Sequence, residues 1–176
     1  MLAQSGLAEL CTLTGEHAAA RAPMDEALRL AAELRSQVDM ADLLRSRGEA
    51  RMLDDDPEGA AADLGRAVAL AAGCGATELV ASSRLGQGRL ALRTGDPARA
   101  RELCLAALAE CPAGWYSADG IRLTILVTLG RVAEALDDPA GAAHWYEQVR
   151  PDVPGPDGSL AVAEATAALA GLRSRS

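Results

Sequence analysis

Phenylalanine, lysine and asparagine are absent from this chain of 176 residues, and aromatic side chains make up only 2% of it. A β-sandwich or β-barrel uses aromatic and β-branched residues in its strands, so this composition favours helices. The three missing residue types all have AT-rich codons. Their joint absence indicates a GC-rich genome, and we expect an actinobacterial source.

The chain also has too few positive charges to bind nucleic acid directly. Its 17 basic residues, all arginine, face 25 acidic ones, which gives a formal net charge of −8. DNA and RNA are bound through a basic surface. No stretch approaches the roughly 20 apolar residues that span a bilayer, and the N-terminus lacks a basic segment followed by an apolar core. These absences predict a cytoplasmic protein without nucleic-acid or membrane partners.

Motifs for catalysis and metal binding are missing as well. The four cysteines form no CxxC pair, and His17 and His144 are isolated in the sequence, so neither a metal site nor a general base is indicated. GxGxxG, Walker and GxSxG motifs are absent. We therefore expect no cofactor, no metal and no catalytic residues, and we interpret the cysteines as reduced, mostly buried thiols.

What the chain does contain is a recurring Asp-Pro pair, at positions 56–57, 96–97 and 138–139. Aspartate is a favoured N-cap because its carboxylate accepts hydrogen bonds from the free N–H groups of a first helical turn. Proline is favoured at the next position, where a missing N–H costs nothing. Each pair therefore predicts a helix start. The helix before each pair is predicted to end at the preceding residue: Asp55, Gly95 or Asp137.

The Asp-Pro pairs recur at a nearly constant distance, with their aspartates at positions 56, 96 and 138. The same shift relates three glycines inside the preceding helices to one another, and three alanines inside the following helices to one another. The glycines are Gly48, Gly88 and Gly130, and the alanines are Ala60, Ala100 and Ala142. Glycine inside a helix costs about 1 kcal/mol relative to alanine, so its repetition predicts that two helices approach closely. Each unit is then a helical hairpin that buries its apolar face by stacking on its neighbours.

These residues resemble the tetratricopeptide repeat (TPR) family over about residues 1–154. Second helices of that family carry alanine, a large residue and alanine at fixed positions. The matching residues are Ala20, Met24, Ala27; Ala60, Leu64, Ala67; Ala100, Cys104, Ala107; and Ala142, Tyr146, Val149. Pro112 and Pro154 match the closing proline of the family.

The sequence departs from the family pattern in its period and at three positions. A period of 40–42 residues exceeds the usual one of about 34, and it is similar to the C-terminal repeat regions of actinobacterial transcriptional regulators of the maltose-regulator-like and antibiotic-regulatory types. Ala8 replaces the glycine of the first helix, and Val149 replaces the last alanine. Pro23 should kink the second helix of the first hairpin or delay its start.

The resemblance implies an all-α fold, a right-handed superhelix forming a single domain over residues 1–176. Its four hairpins would span about residues 1–37, 38–75, 76–113 and 117–154. The last segment predicts a closing helix over residues 158–173, capped by Asp157 or Ser159. This helix has few polar residues for an outward face, so a second copy or another domain of the same polypeptide is left open as its cover.

The resemblance also implies a concave groove for a protein or peptide, lined mainly by the first helix of each hairpin. Carried over to this chain, that surface comprises Arg45, Glu49, Met52, Leu85, Arg89, Arg93, Val127, Arg131 and Glu134. Arg89, Arg93 and Arg131 would form a cationic patch for ligand carboxylates, because a guanidinium pairs with a carboxylate through two hydrogen bonds. The alternative is that these arginines pair with glutamates of the chain itself.

The four aromatic residues fall into two adjacent pairs. Trp115 and Tyr116 precede the fourth hairpin and form either a binding hot spot or a plug packed on the helix ends. Tyr146, which follows Trp145, occupies the large position of the repeat and is interpreted as a core residue.

Together these features predict a non-catalytic scaffold that binds a protein or peptide. More narrowly, they favour the regulatory or sensory region of a bacterial transcriptional regulator, whose partner would be another protein or another domain of the same polypeptide. A homodimer is left open. The alternatives are a stand-alone TPR adaptor, and a small-molecule-binding module or enzyme that uses the groove.

Overall fold

A computed structural model describes residues 17–111, 119–149 and 156–174, and within these ranges every regular element is an α-helix. The helices are α1 (His17–Glu33), α2 (Gln37–Leu53), α3 (Pro57–Gly73), α4 (Thr77–Arg93), α5 (Pro97–Ala109), α6 (Asp119–Ala135), α7 (Pro139–Glu147) and α8 (Pro156–Arg173). The all-α prediction is confirmed. Trp115 and Tyr116 lie outside the described residues, as do Ala8, Pro112 and Pro154.

Helix starts are evenly spaced along most of the chain. The first five helices begin at positions 17, 37, 57, 77 and 97, so the interval between successive starts is constant. Helices α1 to α4 each have 17 residues, and the turns between them are short and equal in length. Two helices and two turns therefore make up one period of the repeat seen in the sequence.

The helix ends are set by residues with positive φ. Each is followed by a residue whose N–H donates to the carbonyl of the fifth residue before it, at 2.9–3.0 Å, as in the Schellman motif. The positive-φ residues are Arg35, Asp55, Gly75, Gly95 and Asp137, with φ between 54° and 83°. The predicted helix ends at Asp55, Gly95 and Asp137 are confirmed. The turns at Arg35 and Gly75 complete the series.

The aspartates of the Asp-Pro pairs are N-caps, as predicted. Their carboxylates accept hydrogen bonds from the backbone N–H of the third residue on: Asp56 from Gly59 at 2.9 Å, Asp96 from Arg99 at 2.9 Å and Asp138 from Gly141 at 2.8 Å. Each following proline is the first residue of its helix. The recurring motif thus starts α3, α5 and α7, the second helices of their hairpins.

The chain divides into two compact units, residues 1–90 and residues 91–176. In the first unit, α1 packs on α2 and α2 on α3; in the second, α6 packs on α5, α7 and α8. Eleven of the predicted core positions of the second helices are at most 9% exposed: Met24, Ala27, Ala60, Leu64, Ala67, Ala100, Cys104, Ala107, Ala142, Tyr146 and Val149. The side chain of the twelfth, Ala20, lies outside the described part of the chain.

Close helix approach at the repeated glycine is confirmed in two hairpins. A Cβ added to Gly48 would lie 2.8 Å from Cγ of Leu64 and 3.3 Å from the carbonyl oxygen of Ala60. A Cβ added to Gly130 would lie 2.5 Å from Cζ in the ring of Tyr146. In both cases the glycine of the first helix faces the large core residue of the second.

Two local expectations differ from the structure. Helix α1 runs from His17 through Pro23 without an interruption, so the proline does not delay its start. The closing helix begins at Pro156, slightly before the predicted start. Proline is favoured as a first helical residue, so Asp157 and Ser159 lie inside the first turn and do not precede it as caps.

Candidate ligand-binding surfaces on the first helices

The nine residues of the predicted groove lie on α2, α4 and α6, the first helices of their hairpins. Arg45, Glu49 and Met52 are on α2; Leu85, Arg89 and Arg93 are on α4; Val127, Arg131 and Glu134 are on α6. The two compact units divide this set within α4, after Leu90.

The guanidinium of Arg45 is fully engaged within its own helix. It donates to Asp42 at 2.7 Å, to Glu49 at 3.1 Å and to Ser46 at 3.2 Å. Burial opposes its charge, but the carboxylates of Glu49 and Asp42 outweigh burial and raise the pKa of Arg45 above its usual value. Arg45 and Glu49 thus satisfy each other on the α2 surface.

Three of the predicted groove residues belong to the core. Leu85 is 6% exposed and Val127 is 4% exposed, so neither offers a side chain to a ligand. Met52 is half-buried and packs against the cluster of Ala60, Leu64 and Leu90. Because the three positions fall on the helix face turned inward, they contribute packing between helices.

Arg89 differs from the other cations of the predicted groove. Its side chain is half-buried on α4, yet in the described part of the chain no ion pair or hydrogen bond involves its guanidinium. The position one repeat earlier is Glu49, which pairs with Arg45, so the charge at this position is reversed between hairpins. Arg93 is exposed in the last turn of the same helix.

Arg131 contacts the closing helix. Its guanidinium forms an ion pair with Glu164 of α8, in which the side chains are 51% and 33% exposed. The phenol of Tyr146 lies in the same neighbourhood: burial and the negative charges of Glu134 and Glu164 raise its pKa to about 12, and Arg131 opposes them. Arg131 therefore pairs with a glutamate of the chain itself, which is the alternative to a ligand carboxylate.

A charge cluster between α2 and α3 was not anticipated. Asp63 is 2% exposed and accepts two hydrogen bonds from Arg47, at 2.7 and 2.8 Å. Arg51 lies 3.1 Å from the same carboxylate and donates to the carbonyl of Gly59, while Arg47 also reaches Asp25 of α1 at 2.7 Å. The cluster ties three helices together.

Ser83 is a second unanticipated feature. It is fully buried on α4, and its hydroxyl is the one buried side-chain oxygen without a hydrogen-bond partner among the described residues. The equivalent position holds Leu43 one repeat earlier and Ile125 one repeat later, both buried. A polar side chain therefore stands where the neighbouring hairpins place an aliphatic one.

Other chemistry is sparse in the described residues. They hold no cluster of three or more His, Cys, Asp or Glu side chains that would bind a metal. Cys74 is exposed and Cys104 and Cys111 are buried, and no disulfide joins these three described cysteines to one another. None of the described helices is both long and apolar enough to cross a bilayer.

Known structures share this arrangement of helices. TPR-like repeats of a Podosopora anserina protein described as a kinesin light chain match with a TM-score of 0.72 and 20% identity, covering 98% of this chain and 88% of that one. BtubC (BKLC) from P. vanneervenii matches with a TM-score of 0.74 and 20% identity, covering 96% of this chain and 72% of that one. The chain has the fold of TPR-like repeat proteins.

A variant of the Podosopora anserina protein gives the same result, with a TM-score of 0.70 and 21% identity over 98% of this chain and 92% of that one. No protein-family model matches the sequence, and no curated protein matches it. The TPR-like fold thus rests on helix geometry and on the repeated glycine, aspartate and alanine positions.

Proposed function

We propose that this TPR-like chain is a non-catalytic scaffold that binds a protein or peptide through a ligand carboxylate at Arg89. The observation that carries the proposal is Arg89, a half-buried residue whose guanidinium has no hydrogen bond or ion pair to any described residue. Removing a charge from water is costly unless it is paired. A partner carboxylate would supply the missing acceptor through a bidentate pair.

Two other arginines of the predicted groove support a carboxylate as the missing group. Arg45 is satisfied by Asp42 and Glu49, and Arg131 is satisfied by Glu164. Each of these arginines pairs with a carboxylate within its own unit. Arg89 is left for a group that comes from outside, and an Asp or Glu side chain or a peptide C-terminus has the required geometry.

A more specific proposal concerns the cellular role. We infer that the chain serves as the regulatory or sensory region of a bacterial transcriptional regulator, with a protein or another domain of the same polypeptide as its partner. The long repeat period and the absence of lysine, asparagine and phenylalanine support this assignment. The gene's full reading frame tests it: an adjoining helix-turn-helix or ATPase domain is expected, and its absence would refute the regulator assignment.

Peptide selection tests the binding role directly. The wild-type chain would be used to select binders from a displayed random dodecapeptide library at low ionic strength. The same selection is repeated with Arg89→Gln and with Arg66→Gln, which removes an exposed arginine of α3 and so changes the net charge equally. We expect the wild type and Arg66→Gln to select the same peptides, enriched in carboxylates. Arg89→Gln should not select them. If all three chains select the same peptides, or none selects any, the proposal is wrong.

A further inference from the structure

The closing helix α8 covers a surface formed by α6 and α7. It packs on both helices, with Ala161 and Ala165 buried and four further apolar side chains partly buried against the same cluster: Val162, Ala168, Leu169 and Leu172. We call this covered surface, together with the guanidinium of Arg131, the α6–α7 face. The face is therefore already occupied by an alanine-rich helix, whose contacts show what chemistry it accepts.

Packing holds α8 more weakly than it holds α6 and α7. Among its described side chains only the alanines Ala161 and Ala165 are buried, and Leu160 is 70% exposed. By contrast α7 inserts Tyr146, and α6 inserts Ile125 and other large side chains, all at most 2% exposed. Hydrophobic stabilisation scales with the apolar area removed from water. We therefore expect α8 to open more easily than α6 or α7.

The ion pair between Arg131 and Glu164 fixes the position of α8 along its axis but contributes little to the stability of the unit. Both side chains are about one-third exposed or more, and exposed ion pairs contribute little net stability. However, Glu164 lies between the buried Ala161 and Ala165, on the same helical stretch. A helix placed on this face with a carboxylate at that position is fixed along its axis by Arg131.

We propose that the α6–α7 face is a helix-accepting surface, that α8 is its exchangeable internal occupant, and that the partner is a helix of the same chemistry as α8. Such a helix has small residues one turn apart, where Ala161 and Ala165 lie, and a carboxylate immediately before the second. The inference deepens the proposed role as a protein-binding scaffold by naming a class of partner, and it rests on a different unit from Arg89.

Because α8 occupies the α6–α7 face, a partner helix must bind this face tightly enough to displace it. A tethered helix acts at an effective concentration in the millimolar range, so a separate helix with identical contacts binds only weakly while α8 is docked. A partner helix overcomes this competition with larger apolar side chains beside the two small residues. A substitution that weakens the docking of α8 should likewise allow a separate helix with the native α8 sequence to bind more tightly.

The probe is a labelled synthetic peptide of residues 156–174, added to the full chain and followed by fluorescence anisotropy. In the variant Glu164→Lys, like charges meet at Arg131 and loosen α8, while the peptide retains its own glutamate. We expect this variant to bind the peptide about fivefold to tenfold more tightly than the wild type, the range for a lost exposed ion pair with added repulsion. The matched control is Glu102→Lys, which breaks the exposed pair between Arg99 and Glu102 in the same unit.

A charge exchange makes the test specific. The chain variant Arg131→Glu should prefer a peptide carrying Glu164→Lys over the original peptide, because the peptide's lysine pairs with the introduced glutamate whereas the chain's own Glu164 is repelled by it. The chain variant Glu164→Gln is measured in parallel, so that a folding defect in Glu164→Lys does not remove the comparison. Equal peptide binding by the wild type, both Glu164 variants and Glu102→Lys overturns the inference, and so does binding that is indifferent to Arg131. If selection of peptides through Arg89 survives that outcome, the proposed function stands while the helix-accepting face does not.

Discussion

The ring of Tyr146 fills the space that a side chain at position 130 would need. A Cβ added to Gly130 would lie 2.5 Å from Cζ and 2.7 Å from Cδ1 of this ring. Because Tyr146 is only 2% exposed, the ring has little room in which to withdraw. Gly130 therefore sets how closely α6 approaches α7.

Gly130→Ala should destabilise the fold by about 1–3 kcal/mol, the usual cost of forcing an extra group into a packed core. The measurement is urea unfolding followed by circular dichroism. Gly65→Ala is the control, since position 65 lies inside α3 with nothing within 4 Å of an added Cβ. That change should stabilise the fold by about 0.5–1 kcal/mol, because alanine is the better helix former. Equal effects of the two substitutions would contradict the close approach.

The features predicted correctly from the sequence are those that the backbone requires and that recur from one hairpin to the next. The caps at Asp56, Asp96 and Asp138 and the tight contacts at Gly48 and Gly130 each recur at the repeat distance. A requirement of the backbone, either for a cap or for close helix approach, selects the same residue type in the second, third and fourth hairpins, so spacing reveals it. The same reasoning identified the large core positions.

One cap is accessible to a direct test. Asp96 lies on the surface and accepts the N–H of Arg99 at 2.9 Å, so Asp96→Ala should cost about 1 kcal/mol of unfolding free energy, whereas Asp96→Asn should cost much less because asparagine caps equally well. Thermal and urea unfolding of the two variants give the comparison. Equal losses for both would mean that the carboxylate acts through its charge and not as a cap.

Ion pairs that occur in only one hairpin could not be predicted from the sequence. Asp63 meets Arg47 of the preceding helix, and Arg131 meets Glu164 of the closing helix. The first pair does not recur, because the equivalent positions of the next repeat hold Gln87 and Leu103. Such contacts depend on how the helices pack and leave no periodic signal. For the same reason the groove prediction did not separate Arg89 from the paired arginines on the other first helices.

Asp63→Asn should be strongly destabilising. Two guanidinium groups converge on this buried carboxylate, and removing one partner of a buried ion pair typically costs about 3–5 kcal/mol because the other charge is left uncompensated. Asp25→Asn is the control: it removes the other carboxylate of Arg47, but Asp25 is 65% exposed, so its loss should cost at most about 1 kcal/mol. Urea unfolding measures both, and similar losses would show that burial does not govern the cluster.

Ser83→Ala should make the protein more stable. The Ser83 hydroxyl is buried without a partner in the described part of the structure, and an unsatisfied buried polar group costs about 1–3 kcal/mol. Alanine removes that group and is the better helix former, so a gain of about 1 kcal/mol is expected. Ser82→Ala is the matched control, because the neighbouring hydroxyl donates to the carbonyl of Leu79 at 3.2 Å. A loss of stability in Ser83→Ala would mean that its hydroxyl has a partner in solution.

Ionisation of Tyr146 should oppose folding at high pH. Burial, reinforced by Glu134 and Glu164 against Arg131, raises the pKa of its phenol from 10.0 to about 12 in the folded chain. The folded state thus prefers the protonated phenol, so this contribution to stability is complete below pH 10 and is lost as the pH rises towards 12. The unfolding free energy should fall over that interval by about 2–3 kcal/mol relative to Tyr146→Phe, which has no phenol to ionise. In a Tyr116→Phe background the ultraviolet absorbance of tyrosinate reports Tyr146 alone. A folded chain whose Tyr146 titrates at the ordinary value would contradict the buried placement of this hydroxyl beside Glu134 and Glu164.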